Sequence, residues 1–129
     1  MALGEPEPLK PVVWVRSSKD DLKKFPRTAQ AHLGFALKVA QSGGKHPDAK
    51  PMKGFGGAGM IEIVEDYDGD TYRVVYTVKF ADAIYVLHAF QKKSKSGIAT
   101  PKQHIRLIEE RLRRARELHA LRVHEQARR

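Results

Sequence analysis

The sequence predicts an α+β domain: an N-terminal strand and two helices, an antiparallel three-stranded meander, then a C-terminal helix. Its 129 residues are enough for one core and too few for two. Between residues 60 and 91, three segments place apolar side chains with the period of a strand. Segments on either side, around residues 29–40 and 105–115, repeat apolar residues at helical spacing instead.

Residues 1–10 mix Glu and Pro and are expected to form a loose arm. Val12-Val13-Trp14-Val15 reads as a short strand. Ser18 stands three places before Asp21, a capping-box spacing, and Leu22 with Phe25 gives a short helix one apolar face. Pro26 suits the first turn of a second helix, where its missing N–H does no harm. Ala29, Leu33, Ala36, Leu37 and Ala40 form that helix's core-facing stripe, and Gly43-Gly44 ends it. Residues 43–59, rich in Gly, Lys and Pro, read as a flexible loop. Gly54-Phe55-Gly56-Gly57-Ala58-Gly59 matches a dinucleotide fingerprint in letters only, because a strand pattern follows it where that motif needs a helix.

Met60-Ile61-Glu62-Ile63-Val64-Glu65 opens the meander. Asp68-Gly69 offers the two positive-φ positions of a tight hairpin. In the next strand Tyr72, Val74 and Tyr76 share one face, while Arg73, Val75 and Thr77 share the other. In the third, Ile84, Val86, His88 and Phe90 fall on one face and Tyr85, Leu87 and Ala89 on the other. With both faces apolar, this strand is expected to run centrally in the sheet. Thr100-Pro101-Lys102-Gln103 then supplies a capping Thr, a Pro at the first helical position and a Gln to complete the box. Ile105, Ile108, Leu112 and Ala115 form the last helical stripe, which weakens beyond about residue 119. The expected organisation is an arm at 1–10, a domain at 11–119 and a basic C-terminal extension at 120–129.

The net charge of +9 favours an anionic partner. Residues 92–129 hold twelve Lys/Arg against four Glu, whereas residues 60–73 hold five acids against one Arg, so the charge is polarised. The Arg-rich last helix reads equally as a solvated face or as a binding surface. With no cysteine there is no disulfide, thiolate metal site or cysteine nucleophile. The N-terminus lacks a charged-then-apolar signal pattern, and no apolar run reaches the ~20 residues of a membrane span. A cytoplasmic protein without a membrane partner is expected. The six histidines lack the H-E-x-x-H spacing, so no metal site and no cofactor are expected either. His88, between Val86 and Phe90, reads as a satisfied core or rim histidine.

Tyr72-Arg73-Val74-Val75-Tyr76, then Ile84-Tyr85-Val86-Leu87-His88-Ala89-Phe90-Gln91-Lys92-Lys93-Ser94-Lys95, then Thr100-Pro101, resembles the RelE/ParE toxin superfamily. Within it, the likeness is to the HigB-like, phage-type branch, over roughly residues 12–118. The resemblance implies a type II toxin held inactive by a small helix-turn-helix antitoxin. Many such toxins enter the ribosomal A site and cut mRNA without a metal, using the RNA's own 2′-hydroxyl to attack the adjacent phosphate. Arg73 matches the family's strand arginine, and a guanidinium can hold two phosphate oxygens at once. The residue-level alternative is a surface arginine paired with Glu62 or Glu65. Lys93 matches a second basic position of the family; with Lys92 and Lys95 beside it, the cluster either shuttles a proton or only clamps backbone phosphate. Lys53, with Lys45 and Lys50, offers further contacts to RNA.

This chain departs from the pattern at two points. Glu62 and Glu65-Asp66 stand where well-known mRNA-cleaving members carry lysines, and no tyrosine follows the lysine loop. Glu62 itself is either a base or a partner of Arg73. The same fold also serves ParE-like inhibitors of DNA gyrase, and a non-catalytic module binding nucleic acid or a partner is the third reading.

Overall fold

The computed structural model describes residues 9–55, 59–92 and 100–128. The elements are β1 (Val12–Trp14), α1 (Ser18–Lys23), α2 (Arg27–Gln41), β2 (Ala49–Pro51), β3 (Met60–Tyr67), β4 (Asp70–Thr77), β5 (Ile84–Lys92) and α3 (Lys102–Ala127). They form an α+β domain around a five-stranded sheet of order β1-β5-β4-β3-β2. The meander β3-β4-β5 is antiparallel as expected, and β1 adds to β5 in parallel. No helix among the described residues is long and apolar enough to cross a membrane.

Each face of the sheet is covered by helix. On one side the α2 stripe Ala29, Leu33, Ala36, Leu37 and Ala40, joined by Leu22 and Phe25, packs on Ile61, Ile63, Tyr72, Val74, Tyr76, Ile84 and Val86. On the other, Ile108, Leu112 and Ala115 of α3 pack on Met60, Val75, Tyr85, Leu87 and Phe90. The alternation read along β4 therefore holds, with Tyr72 and Val74 toward α2 and Val75 toward α3. β5 is buried on both faces over residues 84–90, which fits its internal place in the sheet.

The β3–β4 hairpin turns on Asp68 and Gly69, with φ of 50° and 86°, the left-handed pair that matches the twist of the flanking strands. β2 lies inside the expected loop 43–59, pairing Ala49 with Ile63 and Pro51 with Ile61. Its three residues carry no alternation to read, and a proline is tolerated there because β2 is the sheet's edge. Residues 56–58 of the glycine-rich run lie outside the described residues.

The helix starts differ from the capping patterns in the sequence. Ser18 is inside α1 and donates to the Val86 carbonyl at 3.1 Å, whereas Ser17 precedes the helix and its hydroxyl reaches Asp21 Oδ2 at 2.7 Å. Pro26 and Pro101 are themselves the residues before α2 and α3, extended at ψ of 148° and 146°, and no side chain caps either helix. Proline's fixed φ suits this position, and its carbonyl takes the first helical N–H groups, as Pro101 does from His104 and Ile105. The expected C-terminal extension is helical to Ala127. Asp82, between β4 and β5, holds this part of α3 by accepting from Arg122 Nε at 2.8 Å and pairing with His119 Nδ1 at 2.9 Å.

α2 ends in a Schellman turn: Gly44 N–H donates to Val39 O and Gly43 N–H to Ala40 O, both at 3.0 Å. Gly43 sits at φ 88° in open space, so backbone strain is the whole cost of a side chain there. Gly43→Ala should lower the unfolding free energy by about 1–2 kcal/mol in urea titrations, and Gly43→Asn by less, since Asn tolerates the left-handed region. Equal losses would contradict this account of the turn.

Candidate functional site

The site begins with one extra residue in β5. Val75 pairs with His88 and Tyr76 with Val86, leaving Leu87 without an opposite number on β4. This bulge turns two consecutive side chains, Leu87 and His88, toward α3. It corrects the strict alternation expected of β5. Ile84 and Val86 face α2 together with Ala89, while Tyr85, Leu87, His88 and Phe90 lie on the α3 side.

His88 is buried and satisfied, as the sequence suggested, but by partners the sequence did not announce. Arg111 of α3, only 7% exposed, donates from Nη1 to the Leu87 carbonyl at 3.0 Å. The same nitrogen lies 3.3 Å from His88 Nδ1, and Nη2 donates to Ser17 Oγ at 2.9 Å. Ser17 in turn donates to Asp21, so the chain of contacts links α3, β5 and the start of α1. Arg111 stands three places after Ile108 and four before Ala115, on the apolar stripe itself; that placement was the available signal, and the charge concealed it.

An arginine has no acceptor, so His88 Nδ1 presents its lone pair to Arg111 and the ring proton sits on Nε2. That nitrogen lies 2.8 Å from His104 Nδ1, which must accept, placing the His104 proton on its own Nε2. Phe90 supports both rings: His104 stacks on it at 4.2 Å between centroids and His88 at 4.9 Å. Burial, then the Arg111 cation, then His104 press the His88 pKa down from 6.5 to about 4. Burial lowers that of His104 as well. Both imidazoles are therefore neutral at neutral pH, and His104 offers an N–H donor.

Arg73 projects from β4 on the same side of the sheet, opposite Phe90 on β5 and Val64 on β3. It is 8% exposed, and its Nη1 donates to Glu62 Oε2 at 3.3 Å. Its Nε is buried without a hydrogen-bond partner among the described residues. Glu62, not Glu65, is the carboxylate that pairs with Arg73; Glu65 pairs instead with His32. Lys92, at the end of β5 and two residues beyond Phe90, is half-buried, and Lys53 is exposed in the turn after β2. Lys93 and Lys95 lie outside the described residues. The face thus gathers Arg73, Glu62, Phe90, His88, His104 and Arg111: cations and ring donors suited to an anion, with one carboxylate among them.

These assignments can be measured. Nitrogen NMR at neutral pH should find His88 and His104 both as Nε2–H tautomers, with His88 titrating only near pH 4. Because the folded pKa of His88 is lowered, the unfolded chain binds more protons between pH 4 and 6.5. Stability should then be lost as pH falls from 6.5 to 4, at up to about 1.4 kcal/mol per pH unit from this residue. Arg111→Met should cost about 3 kcal/mol, leaving Leu87 O and Ser17 Oγ without their donor, and should raise the His88 pKa by removing a neighbouring cation. An unchanged His88 titration in that variant would contradict the pairing.

A search of curated proteins finds no match to this chain. Among solved structures, a chain of the RelBE2 toxin–antitoxin complex from Mycobacterium tuberculosis is similar at a TM-score of 0.45 and 19% identity, over 66% of this chain and 100% of that one. The family described as "Phage derived protein Gp49-like (DUF891)" matches residues 20–113, a span that includes Glu62, Arg73, His88, Phe90, His104 and Arg111. The chain belongs to this Gp49-like family of phage-derived proteins.

Proposed function

We propose that the chain is the toxin of a type II toxin–antitoxin system and acts as a ribosome-dependent mRNA endoribonuclease. One observation carries the reading: Arg73 lies opposite Phe90 in the sheet, and Phe90 supports the neutral His88–His104 pair. An anion-binding guanidinium and an imidazole N–H donor thus flank one aromatic ring. The basic segment that begins at Lys92 extends from the same strand.

In this reaction the 2′-oxygen of the RNA attacks the adjacent phosphorus, the bond to the 5′-oxygen breaks, and a cyclic phosphate and a free 5′-hydroxyl result. Negative charge gathers on the non-bridging oxygens, where Arg73 supplies two donors in a fixed fork. Glu62 is the carboxylate in contact with Arg73 and takes the proton from the 2′-hydroxyl. The His104 N–H or the Lys93 ammonium returns a proton to the leaving oxygen. Lys53, Lys92 and Lys95 hold flanking phosphates, contacts that weaken as salt rises. The partners in this reading are a helix-turn-helix antitoxin, the ribosome and its bound mRNA.

Purified protein should cut mRNA on translating ribosomes. Arg73→Ala should slow cleavage by about 10²–10³-fold, the usual range for losing one donor to developing charge. Arg73→Lys should recover only part of it, since a lysine cannot present the fork. Growth arrest with intact mRNA and induced DNA-damage signals would replace this reading with gyrase inhibition. Expression without arrest would leave a non-catalytic binding module.

A further inference from the structure

On the side of the sheet opposite Arg73, His32 of α2 meets His46 and Asp48 from the connection between α2 and β2. One possible ligand atom from each of the three lies within 4.8 Å of the others. Glu65 of β3 closes the group, its Oε2 lying 3.1 Å from His32 Nδ1. The turn at Gly43 reverses the chain and brings residues 46–48 back beside the helix, which is why a spacing of fourteen residues between the histidines carried no signal in the sequence.

His32 is the informative residue. A neutral imidazole has one N–H, yet two carboxylates approach this ring. Glu65 is placed to take the proton of Nδ1, which leaves Nε2 with a lone pair. Asp48 Oδ2 lies 3.0 Å from Nε2, but Nε2 is buried and has no aligned hydrogen-bond partner among the described residues. Two acceptors held this close, and off each other's line, have the relation of two ligands aimed at a third atom. Ligands bonded at about 2.0–2.1 Å to a tetrahedral ion sit about 3.3 Å apart. His46 adds the third group. Its Nδ1 is 3.9 Å from Asp48 Oδ2 and, without an ion, accepts the Asp48 backbone N–H at 3.1 Å, a contact its one lone pair gives up on turning to a cation. The two imidazoles meet edge to face at 5.1 Å.

We propose that His32, His46 and Asp48 form a binding site for a divalent transition cation of the zinc class, with Glu65 orienting His32. Two imidazoles and a carboxylate without thiolate are a donor set for zinc, and water completes four-coordination. A carboxylate gripping the far nitrogen of a ligating histidine is the usual outer support of such sites. The ion ties α2 and the start of the edge strand β2 to β3 through this outer contact. It lies across the sheet from Arg73, so it is separate from the proposed cleavage chemistry.

The full-length protein, stripped with chelator, should bind one equivalent of Zn²⁺ in calorimetry and unfold at a higher temperature with zinc than without. His46→Gln and Asp48→Asn, both near the surface, should each weaken zinc binding at least tenfold, and Glu65→Gln by about 10–100-fold. Histidine NMR of the unmodified protein gives a check that needs no variant: one equivalent should shift the ring signals of His32 and His46 and leave those of His88 and His104 in place. Absence of binding at micromolar zinc, or ring signals of His32 and His46 unmoved at saturation, would overturn the proposal. So would zinc binding that survives the combined His46→Gln and Asp48→Asn variant.

Discussion

The bulge at Leu87 is the constraint on which the candidate site depends. β5 is hydrogen-bonded on both edges, to β1 and β4, and buried on both faces, so its backbone N–H and C=O groups have to find partners inside the protein. An extra residue takes the Leu87 carbonyl out of the ladder with β4. A buried carbonyl left without a donor costs about 1–3 kcal/mol. Arg111 removes that cost at 3.0 Å, and in doing so it brings a guanidinium into the sheet–helix interface. The same extra residue turns His88 toward α3. In a regular strand, His88 would face the apolar layer under α2, where Leu33, Leu37 and Val74 have nothing to offer an imidazole.

Once Arg111 is buried, its own requirements organise the surroundings. Burial of an unpartnered cation is expensive, and the guanidinium stays charged. Nη2 donates to Ser17, which leans on Asp21, Nη1 also reaches the lone pair of His88, and Nε is buried without a hydrogen-bond partner among the described residues. These contacts join residues 94 positions apart, tying the C-terminal helix to the first helical turn of the chain. They also set the direction of the imidazole chain. Since Arg111 can only donate, His88 must donate onward to His104. A structural repair of the backbone and the polarity of the ring pair are therefore one arrangement.

Local rules in the sequence captured what local geometry decides. The α2 stripe, the two faces of β4 and the Asp68-Gly69 turn each depend on residues a few positions apart, and each is found as read. The capping patterns failed, because the prolines themselves occupy the positions before α2 and α3, and because Ser18 serves the Val86 carbonyl across the domain. Features set by distant parts of the chain were not legible. A bulge is one residue of mismatch between β4 and β5, and neither strand reveals it alone. Arg111 looked like one more arginine on a basic helix. His32 acquires Asp48 and Glu65 only when the chain returns past Gly43 and β3 lies beneath α2. Arg73 was legible through a resemblance in motif, whereas its pairing with Glu62 was one of two alternatives that only the sheet register could separate.

That pairing bears on how an acidic residue can stand beside an arginine proposed to bind phosphate. A buried guanidinium without a counter-charge would be strongly destabilising, so in the absence of substrate some acceptor has to be near. Glu62 fills this role through a single contact to Nη1 at 3.3 Å, longer than the 2.7–2.9 Å of a strong charge-assisted bond. Among the described residues Arg73 Nε is buried without a partner, and Glu62 engages only Nη1. In the proposed reaction a phosphate would share the guanidinium through the donors that Glu62 leaves unused. In that proposed reaction Glu62 stands beside the developing charge, where it repels the phosphodiester monoanion of bound RNA and would accept a proton from a hydroxyl. The acidic departure from the family pattern would thus, in the proposed reaction, weaken ground-state anion binding and supply a base, a trade that a nuclease can use and a mere phosphate clamp cannot.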